Sequence, residues 1–169
     1  MSRGVALVPR MRKERGIHDD LSILDNMSMA FLNTKWKKLL ISGKAERERF
    51  ARQQKALQIK AGNPADPITS LSGGNQQKVI LARELESQPS LLVMAHPTRG
   101  LDIGAASFVH EQMIAARERG VGILLISADF DEILEMSDRI LVCFEGQIMG
   151  EFSGKNPPIE EISLAMTGK

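Results

Sequence analysis

Several features that would restrict the class of this 169-residue protein are scarce or missing. Its single cysteine, Cys143, cannot form an internal disulfide, and because it lies in an apolar, strand-like run we expect a buried, unreactive thiol. No apolar run is long enough to span a membrane, and no signal-peptide pattern opens the chain. These features fit a soluble protein of a reducing compartment.

Neither positive nor negative charge is in excess. Lysine and arginine number 22 against 21 aspartate and glutamate residues, a formal net charge of +1. Such a balance gives no global attraction to nucleic acid or anionic lipid. The one basic-aromatic patch, Lys35 to Lys38 with Trp36, has a single aromatic and no repeated basic stripe, so we predict no nucleic-acid partner.

The hydrophobic pattern predicts strands alternating with helices. Apolar runs predict buried strands at residues 4–8, 91–95 and 121–127, and a hairpin of residues 139–144 and 147–152 around Glu145-Gly146. Helical periodicity and caps predict helices from Asp19 or Asp20 through Phe31, at 44–61 up to Gly62, and at 76–85, 105–119, 129–136 and 159–166. This alternation favours an α/β domain with a largely parallel sheet, and the length suffices for one domain with a core.

The most informative stretch is LSGGNQQKV, residues 71–79. Ser72 can cap a helix, and two glycines in succession let another group approach the backbone closely. The N–H groups at a helix N-terminus carry partial positive charge, so a phosphate is a natural occupant. A capped helix start that binds nothing is the alternative, and the local pattern alone leaves both open.

This stretch resembles the signature loop of ABC-transporter ATPases, and its NQQK continuation looks like the second cassette of sugar-import and nucleoside-import ATPases. Residues 91–105, LLVMAHPTRGLDIGA, resemble the next block of that family, in which residues 99–102 match the D-loop. The form AxPTRGLD is similar to the nucleoside and basic-membrane-lipoprotein import branch in particular. The segment from Val8 to Arg12 resembles the family's VPEDR, with Arg10 in place of the acidic residue.

The resemblance covers nearly the whole chain and implies a partial P-loop NTPase fold. Residues 1–16 would be a strand and loop of the ATPase core. Residues 17–70 would be the helical subdomain that faces the membrane protein, and residues 71–169 the C-terminal part of the core. The sequence therefore looks like the C-terminal part of a second, degenerate cassette.

Three parts that a hydrolysing cassette needs are absent from this sequence. Gly-x-x-x-x-Gly-Lys-Ser/Thr, the phosphate-gripping P-loop, does not occur; Gly43-Lys44, Gly154-Lys155 and Gly168-Lys169 lack the upstream glycine and the hydroxyl residue. Ala95 and His96 stand where the family has an Asp-Glu pair that supports Mg²⁺ and orients water. Ala128 stands where the family has its switch histidine.

These substitutions predict that the chain does not hydrolyse ATP by itself. Alanine cannot hold a metal's water, and no metal or phosphate-gripping partner accompanies His96 as a general base. We therefore expect no metal site in this chain. Asp129, Asp131 and Glu132 are interpreted as helix first-turn charges rather than metal ligands.

The parts that act in trans are the ones retained. The resemblance implies that Ser72, Gly73, Gly74, Asn75 and Gln76 contact the γ-phosphate of an ATP held by a partner cassette, and that Asp102 aligns the facing site. ATP and Mg²⁺ would be used only through that partner. Permease subunits, and indirectly a solute-binding protein, would be further partners at the cytoplasmic face of the membrane.

Two other functions stay open at this point. One is a non-catalytic cassette remnant that docks on a membrane subunit or self-associates, and poorly covered apolar surface is expected at the sheet edge near Gly4. The other is an unrelated α/β hydrolase that uses His96 or Asp102, although no Gly-x-Ser-x-Gly elbow supports it.

Overall fold

The computed structural model describes residues 4–34 and 43–168, in two units that span Met1–Ile126 and Ser127–Lys169. The basic-aromatic patch at 35–38 lies outside the described residues. The first unit holds the signature-like stretch and a three-stranded parallel sheet. Its strands and helices, in chain order, are β1 (Val5–Val8), α1 (Ile23–Thr34), α2 (Gly43–Ala56), α3 (Gly73–Glu86), β2 (Leu91–Ala95), α4 (Ile103–Glu118) and β3 (Gly122–Ile126).

The sheet of the first unit has the order β1-β2-β3. Val5 pairs with Leu91, and Leu91 pairs with Gly122. One face is inside: Ala6, Val8, Leu92 and Met94 are each at most 1% exposed. The predicted α/β class and parallel pairing are confirmed.

The prediction of buried strands holds for only one face of this sheet. On the opposite face Val5, Leu7, Leu124 and Ile126 are 39% to 48% exposed. An apolar run cannot distinguish a strand covered on both faces from one covered on a single face, because successive side chains point to opposite sides. The exposure of Val5 and Leu7 confirms the expectation of poorly covered apolar surface near Gly4.

Helix α3 lies at the centre of the first unit. It packs against α1, β1 and α4. Val79, Ile80, Leu81 and Ala82 are at most 1% exposed, so it is buried around much of its circumference. Because α3 is packed on several sides, the residues of its N-terminal turn are held in a defined position.

Two helix boundaries differ from the predicted ones. Ser22 rather than Asp19 or Asp20 caps α1, because its Oγ accepts a hydrogen bond from Asp25 N (3.0 Å). The charged helix predicted for 44–61 begins at Gly43 and ends at Ala56. There Gln58 adopts a left-handed backbone (φ 49°) and Ile59 N bonds to Gln54 O (2.9 Å), the closure that glycine usually provides.

The second unit is a hairpin packed on two short helices. Its elements are α5 (Phe130–Met136), β4 (Arg139–Phe144), β5 (Gln147–Ser153) and α6 (Ile159–Ala165). The predicted hairpin is confirmed, with Glu145 and Gly146 both at positive φ (46° and 80°) in the turn. Its core consists of Ile140, Val142, Ile162 and Ala165.

Cys143 is exposed, so the prediction of a buried thiol was wrong. It alternates with the buried residue Val142 along β4 and faces outward. Across residues 4–34 and 43–168, no helix has the length and apolarity that crossing a bilayer requires.

Candidate functional site

The N-terminal turn of α3 carries the signature-like residues. Ser72 caps the helix: its Oγ accepts hydrogen bonds from the backbone N (3.5 Å) and side-chain Nδ2 (3.0 Å) of Asn75. The N–H groups of Gly73 and Gly74 donate to no other described residue. The predicted cap is thus confirmed, and two amides remain available at the positive end of a 14-residue helix.

The two glycines have different neighbours. A Cβ built on Gly73 would lie 2.8 Å from Nη2 of Arg12, the end of a long side chain. A Cβ on Gly74 would lie 2.9 Å from Cβ of Ala105 at the start of α4. Gly73 therefore lies beside a charged group, whereas Gly74 is a packing position that lets two helix ends approach each other.

That packing limits the substitutions that can test this turn. Gly74→Asp would place a carboxylate where a phosphate is expected, but it would not leave the fold intact. Because Ala105 Cβ cannot rotate away, any side chain at Gly74 must displace α4 or the turn itself. Position 73 is the better place for a blocking side chain, because the Arg12 guanidinium can move.

Asn75 and Lys78 tie the preceding segment to α3. Asn75 Oδ1 accepts a hydrogen bond from Lys60 N (2.8 Å), and Lys78 Nζ donates to Gln58 O (3.1 Å). Both contacts are made by the segment that follows α2, in which Gln58 has a left-handed backbone. The side chain of Asn75 is therefore hydrogen-bonded within the chain, and its backbone N–H donates to Ser72 Oγ.

Gln76 supports the loop from inside. It is 5% exposed, and its Nε2 donates to the carbonyl oxygens of Ile68 (3.4 Å) and Leu71 (3.1 Å). Its Oε1 is buried with no hydrogen-bond partner among the described residues. The predicted contact of Gln76 with a phosphate stays a prediction; the structure gives this side chain a bracing role.

Asp102 is the N-cap of α4 and lies near the same turn of α3. Its Oδ1 accepts a hydrogen bond from Ala105 N (2.8 Å), and the residue is exposed. Lys78 joins the two helices, because its Nζ lies 4.1 Å from the ring centroid of Phe108 on α4. The signature-like turn and the D-loop-like aspartate are therefore held together.

The pKa of Lys78 reflects this setting. Burial lowers the pKa below its ordinary value and Lys60 lowers it further, while Asp102 and Glu111 act in the opposite direction. The Lys78 ammonium therefore lies within the electrostatic influence of Asp102, in addition to its contacts with Gln58 and Phe108. Sequence reasoning missed Lys78 in this role because nothing in the pattern of α3 separates it from a solvated lysine.

Ala95 and His96 lie at the carboxyl end of β2. Ala95 pairs with Ile126, and His96 N donates to Ile126 O (2.7 Å). His96 has a left-handed backbone (φ 47°), which a non-glycine residue adopts at some cost in energy. Among the described residues no group of three or more His, Cys, Asp or Glu side chains could hold a metal.

The remaining predicted site residues lie in the second unit. Ala128 is exposed. Asp129 caps α5, accepting a hydrogen bond from Glu132 N (3.2 Å), as the interpretation of these charges as helix-start groups requires. Asp131 lies in the same first turn.

Arg12 is the second residue that sequence reasoning missed. It belongs to one π-helical turn, Arg12–Gly16. Arg10, Lys13 and Arg15 around it are exposed, and only the folded chain separates Arg12 from them. Burial lowers the pKa of the Arg12 guanidinium below its ordinary value.

The fold now defines a class of protein. An ATP-binding cassette solved as a dimer in a post-hydrolysis state bound to ADP and Pi matches with a TM-score of 0.74 at 22% identity, over 89% of this chain and 63% of that one. The ATP-binding subunit of an ABC transporter matches with a TM-score of 0.75 at 17% identity, over 98% and 69% of the two chains. No protein-family model matches the chain. The fold is that of the C-terminal part of an ABC ATPase.

Curated relatives give a narrower placement. Ribose import ATP-binding protein RbsA 2 of Rubrobacter xylanophilus is 41% identical over 168 residues, which are 99% of this chain and 32% of the relative. Ribose import ATP-binding protein RbsA of Oceanobacillus iheyensis is 40% identical over 99% of this chain and 34% of its own length. Xylose import ATP-binding protein XylG of Pseudomonas savastanoi pv. phaseolicola is 40% identical over 96% of this chain and 31% of its own.

The chain therefore spans about a third of the length of these curated relatives. It is homologous over nearly all its residues to ribose and xylose import ATP-binding proteins. The resemblance to ABC import ATPases predicted from the signature-like stretch is confirmed.

Proposed function

We propose that this chain is the C-terminal portion of a sugar-import ABC ATP-binding subunit and supplies its signature loop in trans to ATP bound by a partner cassette. Ribose and xylose are the solutes named for the relatives, which supports a sugar over the nucleoside that the AxPTRGLD form predicts. Permease subunits, and indirectly a solute-binding protein, would complete the assembly on the cytoplasmic face of the membrane.

The first turn of α3 is the observation that carries this proposal. Gly73 and Gly74 present amides that donate to no described residue, and Ser72 is exposed beside them. Asp102 lies at the start of the helix packed against Gly74. A phosphate at this position would receive hydrogen bonds from backbone N–H groups and the favourable end of the helix dipole.

The same chain lacks groups for hydrolysis in cis. Ala95 and His96 end β2 where a carboxylate pair would be needed, and no P-loop motif occurs in the sequence. Mg²⁺ and the phosphates would thus be held by the partner cassette. The domain division at residues 16/17 and 70/71 belongs to this proposal, with the signature-like turn at the start of the last part.

ATP turnover tests the proposal. The purified chain is assayed alone and then mixed with a separately expressed cassette that has an intact P-loop and acidic pair. We expect turnover above that of the partner only in the mixture, and loss of this gain with Ser72→Ala. Magnesium-dependent turnover by the chain alone would contradict the proposal and point to an active site around His96.

The exposed sheet face favours one alternative, a non-catalytic module that self-associates. Val5, Leu7, Leu124 and Ile126 form its apolar part, and contiguous exposed apolar surface commonly marks an interaction site. Sedimentation velocity of the chain and of Leu7→Glu tests it. A dimer that Leu7→Glu dissociates, with no effect of the chain on a partner's turnover, would favour this alternative.

A further inference from the structure

The backbone turn that carries Arg12 packs beside α3, next to the signature-like turn. Its π-helical turn is closed by hydrogen bonds from Arg15 N to Met11 O (2.9 Å) and from Ile17 N to Arg12 O (3.0 Å). Gly16 of the same turn fits tightly under α3, since a Cβ there would lie 2.7 Å from Cδ1 of Ile80. The C-terminal end of the turn is thus packed against α3, and the Arg12 side chain extends to Gly73.

No described group balances the charge of Arg12. Its guanidinium makes no ion pair and no side-chain hydrogen bond with another described residue, and its Nε is buried without an acceptor. A buried donor without a partner is costly, and a charged one more so. The partial positive charge at the N-terminus of α3 destabilises a nearby cation further, since the helix dipole stabilises positive side chains only at the C-terminus.

A second buried polar atom belongs to the same turn. Gln76 is 5% exposed and its Oε1 has no described hydrogen-bond partner. Because this oxygen is an acceptor, water or another donor would satisfy it, whereas an ionised phosphate would not; the donors that an anion can satisfy are those of Arg12 and the two glycines. Arg12 and the amides of Gly73 and Gly74 would all be satisfied by one anion.

We infer that Arg12 is a phosphate-binding residue of the signature loop, whose guanidinium joins the Gly73 and Gly74 amides on the terminal phosphate of a nucleotide. This inference rests on the proposed function and adds a side-chain cation to a loop that otherwise offers amides and one hydroxyl. The planar guanidinium can donate two parallel hydrogen bonds to phosphate oxygens, which an ammonium cannot.

The geometry also explains why residue 73 is a glycine. With a Cβ 2.8 Å from Nη2 and 3.5 Å from Cζ of Arg12, a larger residue would push the guanidinium off the turn. Gly73 and Arg12 should therefore act as one unit. Effects of Gly73→Ala and Arg12→Gln on phosphate binding should be less than additive in a double-mutant cycle.

Titration with sodium tripolyphosphate tests the inference on the chain itself. The probe is followed by ¹H–¹⁵N NMR at the amides of Gly73, Gly74 and Asn75. We expect these resonances to shift in the wild-type chain and the apparent affinity to fall about tenfold or more in Arg12→Gln. The matched control is Arg15→Gln, which removes the same charge from an exposed residue of the same turn and should change affinity by about twofold at most.

Arg12→Lys separates a charge contact from a merely structural role. A lysine keeps the charge, so part of the lost affinity should return, and the difference between wild type and Arg12→Gln should shrink as potassium chloride is added. Unshifted Gly73 and Gly74 amides in the wild-type chain would overturn the inference. Equal affinities of wild type and Arg12→Gln, or identical losses in the Gln and Lys variants, would overturn it too.

The outcomes separate a failure of this inference from a failure of the proposed function. Arg12-dependent binding of tripolyphosphate without any effect on a partner's turnover would keep the anion site and remove its role in trans. Stimulation of a partner that survives Arg12→Gln unchanged would keep the proposed function and exclude Arg12 from it.

Discussion

At the scale of single residues, adjacent glycines in the signature-like turn do different work. We predict that Gly74→Ala destabilises the chain by about 1–3 kcal/mol, because its Cβ would meet Ala105 Cβ at 2.9 Å. Gly43→Ala is the matched control: Gly43 is the first residue of α2 and a Cβ there meets no described atom within 4 Å, so this substitution should not destabilise the chain. Urea unfolding measures both, and equal stabilities of Gly74→Ala and wild type would show that α4 yields freely.

Cys143 allows a second prediction at this scale. Because the thiol is exposed on β4, a thiol-specific reagent should modify the native chain nearly as fast as the urea-unfolded chain. Cys143→Ser should show no reaction. Strong protection of the native thiol would mean that this face of the hairpin is covered in solution.

These residues also mark what the sequence could not reveal. The charge run of Arg10, Arg12, Lys13 and Arg15 looks uniform, and only the anchoring of Gly16 under Ile80 selects Arg12. Cys143 was misplaced because a six-residue apolar run does not reveal which of its alternate faces is inward.

At the scale of elements, two caps organise the site. Ser72 begins α3 and Asp102 begins α4, each accepting a hydrogen bond from the backbone N–H three residues later. Both were recognisable as helix-start residues or motif members in the sequence, since local chemistry determines a cap. Their spatial meeting through Gly74 and Ala105 was not, because it depends on long-range packing.

Asp102 can be tested in a way that separates capping from charge. Asp102→Asn keeps a good capping oxygen and should change the free energy of unfolding by less than about 0.5 kcal/mol, while Asp102→Ala should lose about 1 kcal/mol. If the carboxylate charge acts on the facing site, both variants should lower turnover in a mixture with a partner cassette. A full rate with Asp102→Asn would confine this residue to its structural role.

Element boundaries were less accurate than element types. The order of strands and helices was predicted correctly, since the apolar periodicity is strong in each. Helix α2 was predicted too long, because its end was assigned to Gly62. In the structure a non-glycine residue, Gln58, adopts the left-handed backbone that follows the helix.

At the scale of the whole molecule, the chain keeps a signature-like loop that we propose contacts a partner's nucleotide phosphate, and its sequence has no P-loop motif. That combination follows from the motif at 71–76 beside the Ala95-His96 substitution, and both were visible in the sequence. The exposed face with Val5, Leu7, Leu124 and Ile126 became visible only in the fold.

Gly73→Asp is the most direct test of the account. It places a carboxylate at the turn where the phosphate is expected, and only the movable Arg12 side chain must shift, whereas a side chain at Gly74 would meet Ala105 Cβ. Gly43→Asp is the control, at an exposed helix start that also welcomes an acidic residue. Turnover of ATP is measured in mixtures of each variant with a cassette that has an intact P-loop and acidic pair.

We expect wild type and Gly43→Asp to raise the partner's turnover and Gly73→Asp not to raise it, although the unfolding midpoint of Gly73→Asp stays at or above that of wild type. Stimulation by Gly73→Asp equal to that of wild type would contradict the central claim that this turn receives a partner's nucleotide phosphate.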